Sequence, residues 1–347
     1  MNRIAIVRDP IYLKHSNGPG HPEGPQRLQA IDRMLEEFPL KGQVTDIPAR
    51  DANPAELAWV HEREYIKRIE QTRNRGYTML DPDTGATADS YAAALRAAGG
   101  TMEAVNAVLT GQFESAFAFV RPPGHHAEAG RAMGFCLFNN VAVGALYAIN
   151  THGLKRVLIL DWDIHHGNGT MHSFYNSDQV LYFSLHEYPH YPGTGSMDEI
   201  GRGAGAGYTV NVPLGGGQGD GEYMAIFHDL FQPIVREFAP ELILISAGFD
   251  AHRSDPLADM ALSSDGYAGM TAAVKEVADD CCRGKIALVL EGGYNLSALS
   301  EGIAGVLLTL LGEGQGSPAG IPPANAYLAQ VIKEIISVQK PFWKSLA

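Results

Sequence analysis

The sequence predicts an α/β domain, a parallel sheet of eight strands with helices on both faces. Short β-branched runs alternate with longer amphipathic or alanine-rich stretches, and most of the strands read as continuously apolar. Five of the strands also run directly into segments rich in histidine, aspartate, glutamate and tyrosine. Ligands of open parallel sheets bind beyond the carboxyl ends of the strands, so those five segments are expected to meet on one face.

In order, strands are expected at 4–7, 44–47, 116–120, 157–160, 180–184, 209–212, 242–246 and 286–290. Helical patterns occupy 26–38, 89–110, 139–150, 221–238 and 265–282, and a last helix falls near 325–338. The Gly/Pro-rich stretch 312–325 reads as the loop before it. No repeat, low-complexity tract or linker interrupts the pattern, so residues 1–347 read as one domain.

Composition narrows the function classes. The 347 residues include 26 Lys+Arg and 39 Asp+Glu, a formal charge of −13, with 45% hydrophobic and 19% charged residues. That excludes a disordered or fibrous chain, and it argues against a nucleic-acid binder that tracks phosphates. The three cysteines, Cys136, Cys281 and Cys282, make no CxxC and no disulfide framework, which points to a reducing, cytoplasmic setting. The N-terminal apolar run is broken by Arg8, Asp9 and Pro10, unlike a signal peptide. The apolar stretch 302–312 falls short of the roughly 20 residues that span a bilayer, so no membrane partner is expected.

The strand ends carry the chemistry: RPPGHH (121–126), DWDIHHGNG (161–169), LHEYPHYPGTG (185–195), AGFDAH (247–252) and EGGYN (291–295). Asp161, Asp163 and His165 alternate, so their side chains can approach one ion. Carboxylate and imidazole suit Zn²⁺, with an open position left for water. The alternative is an acidic strand end that caps the next helix. Asp250 would complete an Asp₂His set, or else be a helix cap itself. His165 is preferred to His166 because it stays in phase with Asp163. His125 and His126 suit a base and an electrostatic partner for an attacking water, against the plainer reading of a polar loop. Tyr294 suits a hydrogen bond to a developing oxyanion, or packing at a helix start.

Other patterns fail on context. His186-Glu187-Tyr188-Pro189-His190 fits the zinc-protease H-E-x-x-H, but that motif needs a helix, and Pro189 opposes one. The Gly-rich segment 215–221 lacks the Lys-Ser/Thr of a phosphate loop. Gly201, Gly203 and Ala206 have dinucleotide-loop spacing but precede a strand. No G-x-S-x-G is present.

Taken together, the motifs resemble the histone deacetylase and acetylpolyamine amidohydrolase family, the arginase-like α/β group. The resemblance rests on HPEGPQRL (21–28), RPPGHHA (121–127), GFCLFNN (134–140), DWDIHHGNGT (161–170), SLH (184–186), PGTG (192–195), NVPL (211–214), GFDAH (248–252) and LEGGYNL (290–296). It lies nearest the class II branch and its bacterial relatives. The resemblance implies one catalytic Zn²⁺ on Asp163, His165 and Asp250, with His126 as general base and then acid. His125 would be oriented by Asp161, and Tyr294 would stabilise the oxyanion. Gly134, Phe135, Tyr191 and Leu257 would line a tunnel for the acylated chain, with Asp83 or Asp81 anchoring substrate at the rim. Arg27 would sit beside an internal acetate-exit channel. One K⁺ is implied near Asp161, Asp163, His165, Ser184 and Leu185, and a second near Phe174, Ser177, Val180 and Tyr208. Two positions depart from the family pattern. Asn168 replaces the Asp of class I relatives, so His126 is expected to lack a carboxylate partner. Tyr191 replaces a more usual phenylalanine, which adds a hydroxyl to the tunnel.

The resulting expectation is a zinc amidohydrolase that removes acetyl or short acyl groups from lysine in peptides or proteins. An acetylpolyamine deacetylase is the nearest alternative, mildly disfavoured by apolar Leu257. A catalytically weak acyl-lysine-binding protein and a His186/His190 metalloprotease follow further behind.

Overall fold

The computed structural model describes residues 4–37, 40, 42–314 and 324–347. Eight strands form one parallel sheet: β1 (Ile4–Val7), β2 (Val44–Ile47), β5 (Ser115–Ala118), β6 (Val157–Asp161), β7 (Val180–Glu187), β8 (Thr209–Leu214), β9 (Leu242–Ala247) and β10 (Ile286–Leu290). A separate antiparallel hairpin joins β3 (Tyr77–Asp81) to β4 (Thr84–Thr87). The spatial order is β2-β1-β5-β10-β9-β6-β7-β8. Strands β5, β10, β9, β6 and β7 are therefore contiguous, and they are the five whose ends carry the histidines, acids and Tyr294. Parallel pairing aligns their carboxyl ends, since Asp161 registers with Ser184 on one side and Ser246 on the other.

Every residue of β5, β6, β9 and β10 is buried, as continuous apolar strands require when both faces are covered. Helices Ser90–Leu109 and Asn140–His152 pack together, and helices Gln26–Glu37, Ser264–Cys282 and Leu296–Leu310 form a second group. The edge strand β2 is half-exposed, and its Asp46 pairs with Arg8 at 2.7 Å, a charge that blunts the open edge. Among the described residues no helix is long and apolar enough to cross a membrane.

Three expectations shift. The predicted helix 221–238 is broken into Asp220–Ile226, a π turn at Phe227–Phe231 and Gln232–Phe238. Pro233 has no N–H for the helical ladder, and the Gln232 N–H reaches back five residues to the Phe227 carbonyl. The strand expected at 116–120 ends at Ala118, because the chain turns there toward the tandem histidines. The loop expected at 312–325 lies mostly outside the described residues, whereas the helix after it is present as Ala326–Gln339.

Candidate active site

Asp163, His165 and Asp250 bring one ligand atom each to within 4.8 Å of the others. Asp163 and His165 lie beyond the end of β6, so strand alternation does not align them as expected. Backbone N–H groups do so instead: Asp163 donates to Asp161 Oδ1 at 3.2 Å, and His165 donates to Asp163 Oδ1 at 2.9 Å. Asp250 Oδ1 accepts from the Ile164 N–H at 3.0 Å, which ties the β9 end to the β6 end.

Neither capping alternative is realised. The helix after β6, Asn168–Phe174, has Gly167 at its N-cap and no side-chain cap, and Ser263 caps the helix after Asp250.

The cluster fits a divalent cation. Asp250 Oδ2 is fully buried and accepts no hydrogen bond among the described residues, 3.2 Å from His165 Nδ1. A buried carboxylate oxygen left unpaired is costly, and a cation offsets that cost. Backbone makes room for the acids: a Cβ on Gly292 would fall 2.0 Å from Asp250 Oδ2, and the Gly292 N–H donates to Asp163 Oδ2 at 2.8 Å. Burial disfavours charge on His165, but its hydrogen bond to Asp163 and the charges of Asp163 and Asp250 outweigh it and push its pKa to about 10. A cation would displace that proton.

The tandem histidines stack at 4.0 Å and differ in charge. Burial opposes protonation of His125, yet Asp161, Asp163 and Glu291 around it raise its pKa to about 10, and Asp161 Oδ2 lies 3.1 Å from its Nδ1. Burial and the charges of His125 and His165 hold His126 well below the usual imidazole range. Their surroundings thus favour the charged form of His125 and the neutral form of His126.

Asn168 Oδ1 accepts from His126 Nδ1 at 2.8 Å, and Asn168 Nδ2 donates to Glu128 Oε1 at 2.5 Å. As expected, the direct partner of His126 is an amide and not a carboxylate; Glu128 reaches it only through Asn168.

His125, His126, His165, Gly134, Phe135, Tyr191, Leu257, Tyr294 and Asp83 border one narrow cavity of about 190 Å³. Gly134, at φ +55°, lies against His126, where a Cβ would come within 2.2 Å of the ring. Phe135 holds φ +67°, an uncommon conformation for a bulky residue, with its N–H on Thr84 Oγ1 at 2.9 Å. Tyr191 crosses the His126 ring edge-on at 5.1 Å, and its buried hydroxyl makes no well-formed hydrogen bond among the described residues. Of the two rim acids, Asp83 lines the cavity, with its Oδ1 accepting from the Gly134 N–H at 3.1 Å. Asp81 is instead paired with Arg131 at 2.6 Å.

Buried Arg27 donates to the carbonyls of Gly293 at 2.7 Å and Glu291 at 2.5 Å, and its guanidinium lies 5.2 Å from the Tyr294 ring. Ser184 pairs in register with Asp161, next to Leu185 on β7. Phe174, Ser177 and Val180 follow one another around a turn, and the Tyr208 carbonyl accepts from Tyr182 on β7 at 2.9 Å.

The H-E-x-x-H residues are no ligand pair. His186 is buried on β7, with both ring nitrogens engaged, Nδ1 by Ser184 Oγ at 2.9 Å and Nε2 by the Gly195 carbonyl at 2.8 Å.

Three acids were not singled out by motif. Glu128 stands behind His126, and Asp255 accepts from the Tyr294 N–H at 2.6 Å and the Leu257 N–H at 3.0 Å. Glu291 accepts from the Gly124 N–H at 2.7 Å and the His125 N–H at 3.2 Å. In the sequence, Glu128 is signalled only by its closeness to HH and Asp255 by its closeness to GFDAH, while Glu291 opens EGGYN.

An acid–histidine cluster, tandem histidines and a phenol gathered at one narrow cavity of an α/β domain mark the site of a hydrolase. The particular family follows from comparison. A histone deacetylase domain profile matches residues 21–310, and the chain belongs to the histone deacetylase family. It is 43% identical to Histone deacetylase 15 of Arabidopsis thaliana, over 94% of this chain and 59% of that protein. It is 41% identical to a probable deacetylase of Archaeoglobus fulgidus, over 88% of this chain and 86% of that one. Identity to Polyamine deacetylase HDAC10 of Homo sapiens is 38%, over 93% and 50%. The chain thus spans about half the length of several curated relatives. The crystal structure of the HDA15 HD domain superimposes with a TM-score of 0.92 at 41% identity, covering 99% of this chain and 96% of that one.

Proposed function

We propose that this chain is a zinc-dependent deacetylase that hydrolyses the amide of acetylated, or short-acylated, lysine side chains in peptides or proteins. One observation carries the reading: His165, both tandem histidines and Tyr294 border the same narrow cavity, with Asp163 and Asp250 directly against His165. Zn²⁺ held by Asp163, His165 and Asp250 would polarise the scissile carbonyl and acidify a water. His126 takes the proton from the attacking water as its oxygen bonds to the carbonyl carbon. It returns that proton to the amine nitrogen as the C–N bond breaks, releasing acetate and the free amine. His125 stays charged against Asp161. The Tyr294 phenol donates to the carbonyl oxygen as negative charge grows there. Arg27 stands where acetate would leave. The oxygen-rich surroundings of Asp161 and Ser184, and the turn of Phe174, Ser177, Val180 and Tyr208, suit one or two structural K⁺. Three free cysteines suit a reducing, cytoplasmic setting.

Phe135, Tyr191 and Leu257 suit a chain of methylenes. Asp83 in the same wall favours a second reading, an acetylated polyamine whose distal ammonium meets that acid. The deciding experiment is kcat/KM for an acetyl-lysine peptide beside acetylputrescine, with and without chelator. The peptide is expected to win, and chelator to abolish both activities; a strong preference for acetylputrescine would assign the chain to polyamines. Leu257→Glu is expected to shift the kcat/KM ratio toward acetylputrescine about tenfold, equivalent to ~1.4 kcal/mol. No shift would mean that the distal amine does not reach Leu257.

A further inference from the structure

We infer that Glu128 is a positioning residue that fixes the tautomer of His126 by fixing which way the Asn168 amide faces. The inference rests on the reading of His126 as the base.

Asn168 opens the helix Asn168–Phe174, which is pressed onto the histidine loop: a Cβ on Gly169 would lie 2.2 Å from the Ala127 carbonyl oxygen, and the Thr170 N–H donates to the His125 carbonyl at 3.1 Å. An asparagine amide has an acceptor end and a donor end of nearly the same shape, so shape does not select its orientation. Its neighbours do. On one side is His126 Nδ1, 2.8 Å from Oδ1. On the other, Nδ2 faces acceptors, Glu128 Oε1 at 2.5 Å and, more distantly, the His126 carbonyl at 3.3 Å and Met133 Sδ at 3.5 Å. A carboxylate only accepts. If the amide turned over, Oδ1 would oppose Glu128 Oε1, two acceptors at hydrogen-bond distance, and Nδ2 would oblige His126 Nδ1 to give up its proton.

The consequence reaches the reacting nitrogen. With Oδ1 toward His126, the neutral ring carries its proton on Nδ1 and leaves Nε2 bare, with no protein partner among the described residues. The reverse tautomer would place the proton on Nε2, where it blocks the uptake of a proton from water. A family member with Asp at position 168 needs no such arrangement, because a carboxylate accepts with either oxygen. Asn168 does need it, and Glu128 supplies it from the same loop as the histidines. His172 Nδ1, 2.8 Å from the same Glu128 oxygen, holds the carboxylate from the solvent side.

The test reads the tautomer directly. Nitrogen-15 NMR of the histidine-labelled zinc protein, with His126 assigned by the signals lost in His126→Gln, should show Nδ1 protonated and Nε2 bare in wild type. In Glu128→Ala the proton should be shared between the two nitrogens; Glu128→Met, which keeps the side-chain length, substitutes if Ala does not fold. Unchanged Nδ1 protonation in the variant overturns the inference, whether or not the protein deacetylates anything. Turnover supplies the second readout. Loss of Glu128 should lower kcat about tenfold with KM and zinc content unchanged, as for other groups that orient a reacting residue from behind. Glu128→Gln, which can still accept through its Oε1, should recover most of it. In an Asn168→Asp background the same loss should vanish, since that carboxylate accepts unaided. An equal loss in both backgrounds would assign Glu128 a structural role only. Absence of any turnover in wild type would instead defeat the deacetylase reading and leave the NMR result to stand by itself.

Discussion

Asp250→Asn is expected to release the metal and abolish deacetylation together. The substitution keeps the size of the side chain, and an amide oxygen can still accept from the Ile164 N–H, as Oδ1 does now at 3.0 Å. What it removes is the charge on the buried Oδ2, which accepts no hydrogen bond among the described residues and lies 3.2 Å from His165 Nδ1. Without that charge, only Asp163 balances the cation. Changes to groups that merely support metal ligands cost about 10–100-fold in affinity, so loss of a ligand should exceed that range. Metal content by elemental analysis checks the first half and kcat/KM the second. Melting temperature gives a third readout. A metal that binds only the native state stabilises it, so chelator should lower Tm of wild type and leave that of Asp250→Asn unmoved. His190→Ala is the control. His190 borders the same cavity, its ring 5.2 Å from His165, yet it is no ligand in this reading, and the variant should keep its metal. If Asp250→Asn kept the metal and His190→Ala lost it, the centre would belong to the H-E-x-x-H segment.

The sheet was legible because its central strands are buried on both faces and so read as unbroken apolar runs. All eight expected strands are present, and most boundary errors fall at the carboxyl ends, where β6, β7, β8 and β9 run one to three residues further than expected into the site. The hairpin of β3 and β4 was not legible. Tyr77 and Met79 are exposed, and Asp81, Asp83 and Gly85 break any apolar alternation, so nothing marks a strand until Asp83 is seen against Gly134. Within the site, residues on strand ends were found by motif, because the sheet alone brings them together. Glu128 and Asp255 escaped because each acts on a partner about 40 residues away, Asn168 for one and Tyr294 for the other. Alternation along β6 selected His165 for a reason that does not apply beyond Asp161. The backbone hydrogen bonds that do align it depend on the folded turn.

Tyr294→Phe is expected to lower kcat by about 10²–10³ while zinc content and Tm stay near wild type. The expectation follows from how the residue is held. Its backbone N–H is fixed on Asp255 Oδ2 at 2.6 Å, its ring meets Phe135 edge-on at 6.0 Å, and the Arg27 guanidinium lies 5.2 Å from the ring centre. All three contacts use the backbone or the ring, which phenylalanine retains. The hydroxyl itself makes no hydrogen bond among the described residues, so its removal leaves no protein group unpaired. Burial, with Asp250 and Asp163 nearby, pushes the phenol well above its usual pKa, and it stays protonated throughout the working pH range. A phenol kept neutral is a donor, and a donor gains most where negative charge is greatest. The amide oxygen of a bound substrate carries little charge, and the oxygen of the tetrahedral species carries nearly a full one. The stabilisation therefore falls mainly on the transition state, so kcat should drop and KM should barely change. A rise in KM at constant kcat would make Tyr294 a binding residue. Turnover near wild type would remove its hydroxyl from the reaction and leave the oxyanion to the metal alone.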